Sequence, residues 1–207
     1  MQFHDINQNT DEWLDMRIAK ITGSSCSKMM AHYGKSFGDP AKKAAVQIAV
    51  EQLTGKRSLV DGYSNAHMQR GHEQEPMARE LYEDQYFVDV DNGGFFDCGN
   101  AGCSPDGLVG EDGLIEIKSV ISSVHYANIK RGDIDPAYKW QIHFNLLKTE
   151  REWIDSISYC ADFPQDKRLH VIRLNKADCE DNFKMIIERE AQFFELVEEI
   201  KTNIKKG

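Results

Sequence analysis

The chain has 207 residues, enough for one domain with embellishments, and its 41% hydrophobic content can build a core at that length. Its 25 basic residues stand against 34 acidic ones, a net charge of −9, which argues against a protein that coats nucleic acid nonspecifically. No run of 18 apolar residues offers a membrane span and no basic start leads into an apolar stretch, so a cytosolic location is expected.

The first expected element is a helix capped by Thr10, with Asp11 and Glu12 in its first turn and Trp13, Leu14, Ile18 and Ile21 at helical spacing. A second helix is expected to begin near Ser24 or Ser25. Residues 33–40 read as a loop, 41–53 as a helix ended by Thr54-Gly55, and 56–62 as another loop. A long helix is expected over about 65–85, with Met77, Ala78, Leu81 and Tyr82 on its buried face. Pro76 fits a first turn or kinks this helix. Strands follow at about 86–90, 94–98, 101–109 and 113–119. Helices are expected at 121–130 and 137–148, split by Asp133 to Pro136. Residues 153–161 and 169–174 read as strands, and a final helix runs from Lys176 to about Lys205, with Phe183, Ile187, Phe194, Val197 and Ile204 near one stripe. The order is that of an α/β fold with a mixed central sheet flanked by helices.

Charge is uneven along the chain. Residues 17–70 hold nine Lys/Arg against three acids. Either this is a local basic surface for DNA on an acidic protein, or it is an ordinary solvated helical face. Five scattered cysteines, at 26, 98, 103, 160 and 179, include no C-x-x-C pair and read as free thiols. The seven histidines offer no metal-ligand spacing. No G-x-x-x-x-G-K-[ST] run is present, so action driven by ATP is not expected.

The most informative stretch is Ser104-Pro105-Asp106-Gly107-Leu108, followed by Ile115-Glu116-Ile117-Lys118. Side chains alternate along a strand, so Glu116 and Lys118 share one face while Ile115 and Ile117 face a core. Gly110 to Gly113 has hairpin-turn composition, which would fold Asp106 back beside Glu116. Two carboxylates beside an ammonium suit Mg²⁺ and phosphodiester hydrolysis. The plainer reading is a turn aspartate and a solvated Glu-x-Lys.

These residues resemble the metal site of the PD-(D/E)XK nuclease superfamily. Within it, the chain resembles the phage lambda exonuclease and YqaJ-type viral recombinase family. The matching pieces run from Trp13 through Arg17 to Thr22 and Ser24, then Gly71 to Ala78 with Glu75, then Cys103 to Leu108, then Leu114 to Lys118, then Trp140-Gln141. The resemblance implies a restriction-endonuclease-like core in a single domain, 1–207. An N-terminal helical segment, about 10–62, would contribute DNA and 5′-phosphate contacts. Asp106, Glu116, the Ile117 carbonyl and Glu75 would hold two Mg²⁺ ions, with Mn²⁺ as a substitute. Lys118 would orient or activate water, and Gln141 would lie near the metals. Arg17 and Ser24 would hold the terminal 5′-phosphate, with Thr22 adding a hydroxyl. From the residues alone, Glu75 also reads as a helix N-terminal acid, Gln141 as a solvated amide, and Arg17 as a partner for Asp15 or another acid.

The implied activity is a 5′→3′ exonuclease on double-stranded DNA ends that leaves a 3′ single-stranded tail. The implied assembly is a homotrimeric ring working with a phage single-strand annealing protein in a bacterial host. The alternatives are an endonuclease of the same superfamily and a catalytically inactive module that binds DNA ends.

Overall fold

The computed structural model describes residues 1–58 and 66–206, without the side chains of 66–69. The strands of this part form two four-stranded sheets. In the first, β1 (Gln2–His4), β3 (Phe95–Cys98), β4 (Ala101–Cys103) and β2 (Ile21–Thr22) lie in that order, with only the β4–β2 pairing parallel. In the second, the order is β5 (Gly107–Val109), β6 (Gly113–Ser119), β7 (Trp153–Tyr159) and β8 (Leu169–Asn175). Here β5 and β6 form the expected hairpin, pairing Gly107 with Ile115. Strands β6 and β7 run parallel, joined by a helical crossover of α5 (Ser122–Arg131) and α6 (Lys139–Thr149). The other helices are α1 (Asp11–Met16), α2 (Gly23–Met30), α3 (Asp39–Thr54), α4 (Ala66–Tyr86) and α7 (Glu180–Lys206). This is the mixed α/β, restriction-endonuclease-like architecture expected from the sequence.

Alternation along β6 separates two cores. Leu114 joins the larger one, with Ile142, Phe144, Phe183, Ile186 and Phe193. Ile115 and Ile117 point the other way, into the smaller one with Ala78 and Tyr82 of α4. Glu116 therefore faces α6 and Asp106 lies at the strand's margin.

Several expectations need correction. Helix α1 stops at Met16, and Ile21 belongs to β2, because Ala19 turns the chain with φ +64. Helix α3 starts two residues early, since Pro40 is at home in a first turn where no N–H is needed. The strand expected at 86–90 is absent; Phe87 ends α4 with φ +55, and only an isolated bridge joins Asp91 to Leu108. The 101–109 strand is broken by Ser104-Pro105-Asp106. Pro76 lies inside α4, so the His72 carbonyl has no helical N–H to accept from. Met77 is 48% exposed rather than buried. On α7 the buried apolar residues are Phe183, Ile186, Phe193 and Val197; Phe183 and Val197 are as expected, while Ile187 and Ile204 face solvent and the inward positions expected for Ile187 and Phe194 fall one residue earlier. Strands β1 and β2 were not expected. The end of the 56–62 loop and the helix start at Asn65 lie outside the described residues.

Candidate active site

Asp106 is placed by backbone. Its N–H donates to the Ile115 carbonyl at 3.1 Å, and its Oδ2 accepts from the Ile117 N–H at 2.6 Å. These bonds straddle Glu116 and fix the two acids side by side. The loop carrying Asp106 packs against Gly93, where a Cβ would stand 1.7 Å from the Pro105 carbonyl oxygen; only glycine fits.

Glu116 is 1% exposed, and three donors surround it. Lys118 Nζ donates to Oε1 at 2.6 Å, Gln141 Nε2 donates to the same oxygen, and Asn145 Nδ2 donates to Oε2 at 2.8 Å. Gln141 and Asn145 are four apart, one turn on α6, so both amides present on one face. Burial first, and then the charge of Asp106, raise Glu116 to about 7. Glu75, reaching in from α4, is raised to about 7 by burial and then by Asp106. Burial raises Asp106 as well. Lys118 moves up: burial pulls it down, but Glu116 and Asp106 outweigh burial.

A second cluster lies on α1 and the start of α2. Thr10 caps α1, accepting from the Trp13 N–H at 3.2 Å. The Trp13 indole then donates to Ser104 Oγ at 2.8 Å, and its ring lies 4.1 Å from the Arg17 guanidinium carbon. Arg17 Nη2 donates to Thr22 Oγ1 at 3.2 Å and to Ser24 Oγ at 3.1 Å. Burial lowers Arg17 to about 10, and among the described residues no ion pair joins it to Asp15 or another acid. Thr22 and Ser25 form a capping box that opens α2, Thr22 N–H donating to Ser25 Oγ at 2.9 Å.

Both clusters open on one cavity of about 650 Å³, whose lining includes Arg17, Ser24, Glu75, Asp106, Glu116, Lys118 and Gln141. Of the expected site residues, Thr22 alone does not line it; this hydroxyl sits behind Arg17 and Ser24. Asn145 and His72 are among the lining residues that the sequence reading did not single out. Asn145 was detectable as the residue one turn beyond Gln141, and His72 as the residue three before Glu75. Each needed the tertiary contact to carry meaning.

Among the described residues no three His, Cys, Asp or Glu side chains form a ready metal-binding group. The donor chemistry nevertheless fits a hard cation. Asp106 and Glu116 are adjacent carboxylates, Ile117 lines the same cavity, and Glu75 is close enough to be raised by Asp106. Three acids that oppose each other's ionisation are what a divalent ion relieves.

The YqaJ-like viral recombinase domain matches residues 12–152 of this chain. Two solved structures align along nearly the whole length, each covering 95% of this chain and 99% of the other. The LHK-Exo complex with dAMP is 31% identical with a TM-score of 0.78, and the alkaline exonuclease LHK-Exo from Laribacter hongkongensis is 29% identical with a TM-score of 0.77. A phage related exonuclease from Haemophilus somnus 129PT, 14% identical, covers 90% of this chain and 96% of its own with a TM-score of 0.62, a likeness of fold. No curated protein matches.

Proposed function

This chain belongs to the YqaJ-like viral recombinase family of the PD-(D/E)XK nuclease superfamily, and from that premise we propose that it is a metal-dependent 5′→3′ exonuclease acting on double-stranded DNA ends. One observation carries the reading: the acid cluster and the Arg17–Ser24 pair line the same cavity. An acid cluster alone cuts whichever phosphodiester is offered. A separate anion receptor at a fixed distance selects the bond next to a terminal phosphate.

Asp106, Glu116, the Ile117 carbonyl and Glu75 would hold Mg²⁺, two ions in the full site, with Mn²⁺ able to substitute. Bound there, the metal supplies Lewis acidity and neutralises charge developing on the phosphate. Gln141 and Asn145 hold Glu116 in one rotamer. Lys118, kept as an ammonium by its two acids, orients water and stabilises negative charge on phosphate oxygens rather than acting as base. Arg17 offers paired donors to the terminal phosphate, braced by the Trp13 face, and Ser24 adds a hydroxyl at the positive end of α2. Digestion of one strand would leave a 3′ single-stranded tail, the substrate for a phage single-strand annealing protein. In this reading the enzyme works as a trimeric ring around DNA, in the cytosol of a bacterial host.

Linear duplexes labelled at either end, with and without Mg²⁺, test the proposal against a circular duplex. Loss of label from 5′ ends, only with metal and only on linear DNA, is the expected result. Equal cutting of circles would replace the exonuclease with an endonuclease.

A further inference from the structure

Asn145 lies between Glu116 and the start of α2. It is 1% exposed and sits on α6, which packs against α2. The Asn145 amide nitrogen donates to Glu116 Oε2 at 2.8 Å, the pairing an ionised acid requires. That fixes the amide oxygen on the opposite side. Asn145 Oδ1 is buried with no hydrogen-bond partner among the described residues. It faces Gly23, the first residue of α2, where a Cβ would stand only 2.2 Å away. Ser24, the hydroxyl beside Arg17, is the next residue.

An unpaired buried acceptor is costly, and a chain keeps one only where something else holds it there. Here one amide is anchored on Glu116 while its far side meets the backbone that carries Ser24. We propose that Asn145 is a positioning residue, a strut that sets the distance between the phosphate-holding start of α2 and the acid cluster at Glu116. Gly23 is the other half of the device, because a Cβ there would meet Asn145 Oδ1 and must displace either α2 or the amide anchored on Glu116. The proposal rests on the reading of Arg17 and Ser24 as a 5′-phosphate receptor and adds what keeps that receptor in register with the chemistry.

The strut predicts a particular pattern of rates. A shift of about 1 Å between a held group and the reacting bond can slow a step about 100-fold. Gly23→Ala should therefore lower kcat on 5′-phosphorylated ends about 100-fold. KM should stay within about twofold, because Arg17 and Ser24 still hold the phosphate. Ends with a 5′-hydroxyl, which gain nothing from the receptor, should slow much less, so the phosphate-to-hydroxyl rate ratio collapses toward one. The double variant Gly23→Ala/Asn145→Ser, which makes room for the methyl group, should regain much of the ratio. Should Gly23→Ala fail to fold by circular dichroism, Asn145→Ser alone carries the test: loss of its bond to Glu116 slows both kinds of end, and the strut is read from the additional slowing on 5′-phosphorylated ends, which lowers the ratio. A variant that folds and keeps the native ratio, or slows both kinds of end equally, overturns the strut and leaves ordinary packing. A native enzyme that shows no preference for 5′-phosphate is a different result: it removes the receptor reading itself, and the strut with it.

Discussion

The Asp106 carboxylate spends one oxygen on the Ile117 N–H, and both Glu116 oxygens are held by Lys118, Gln141 and Asn145. Such anchoring leaves the acids in place when no cation is near and ready to share one. Asp106→Ala and Glu116→Ala should each reduce Mg²⁺-dependent cleavage by about 10³-fold or more, near 4 kcal/mol of transition-state stabilisation. Thermal melts should confirm that the variants remain folded; full activity in either one would remove these residues from the chemistry. Arg17 carries a second prediction. A charge-assisted contact to phosphate contributes roughly 1.5–3 kcal/mol, so Arg17→Ala should slow digestion from 5′-phosphorylated ends by about one to two orders of magnitude. Digestion from 5′-hydroxyl ends should change little. Burial has brought Arg17 down to about 10, so it remains a cation at neutral pH, and a bound phosphate would push it up again.

At the scale of an element, α2 is organised at both ends by residues distant in sequence. Its first turn is closed by the Thr22–Ser25 box and left open toward the cavity. Its last turn is held by Arg189 of α7, which is 2% exposed. The guanidinium donates to the carbonyls of Met29 at 3.0 Å, Lys35 at 3.0 Å and Ala31 at 3.4 Å, and stacks 3.6 Å from the centre of the Phe37 ring. A cation at the helix C-terminus complements the dipole whose positive end faces the cavity. Arg189→Ala would orphan these carbonyls and open space beside Phe37. A loss of about 3 kcal/mol in urea unfolding is expected, and Arg189→Lys should recover little of it, because an ammonium lacks the planar fork. An unchanged unfolding midpoint for Arg189→Ala would show that the clamp is idle.

At the scale of the molecule, the acidic chain keeps its basic residues unevenly. Lys28, Lys35, Lys42 and Lys43 are exposed on or near α2 and α3, while Lys20 is tied to Asp97 at 2.9 Å. On α3, Val46 and Val50 are also exposed. A ring of three chains would gather these lysines around one passage. The solution mass measured by light scattering should then be three times 23.6 kDa, with nothing larger accumulating, because a closed ring leaves no free interface. A clean monomer at micromolar concentration would sink the ring. The described residues include no helix long and apolar enough to cross a membrane, and all five cysteines are free thiols, as their spacing indicated.

The sequence by itself determined the β5–β6 hairpin, the opposed faces of β6 and most of the helices, because these follow from local turn chemistry and from periods of two and 3.6 residues. It also pointed to Asp106 and Glu116, which one hairpin joins, and the family resemblance pointed to Arg17 and Ser24; all four line one cavity. On α7 it placed Phe183 and Val197 correctly and misjudged Ile187, Phe194 and Ile204, since a helix with several apolar positions can turn either of two neighbouring stripes inward and packing against α2 and α3 decides which; Met77 was misjudged on α4, where packing against β6 decides. It missed the short strands β1 and β2, whose two or three residues carry too little periodicity to read and exist only because β3 and β4 offer edges to pair with. Asn145 was beyond its reach for the same reason. A buried amide between Glu116 and Gly23 acquires meaning from contacts across 29 and 122 positions of chain, and only the tertiary structure brings those three residues together.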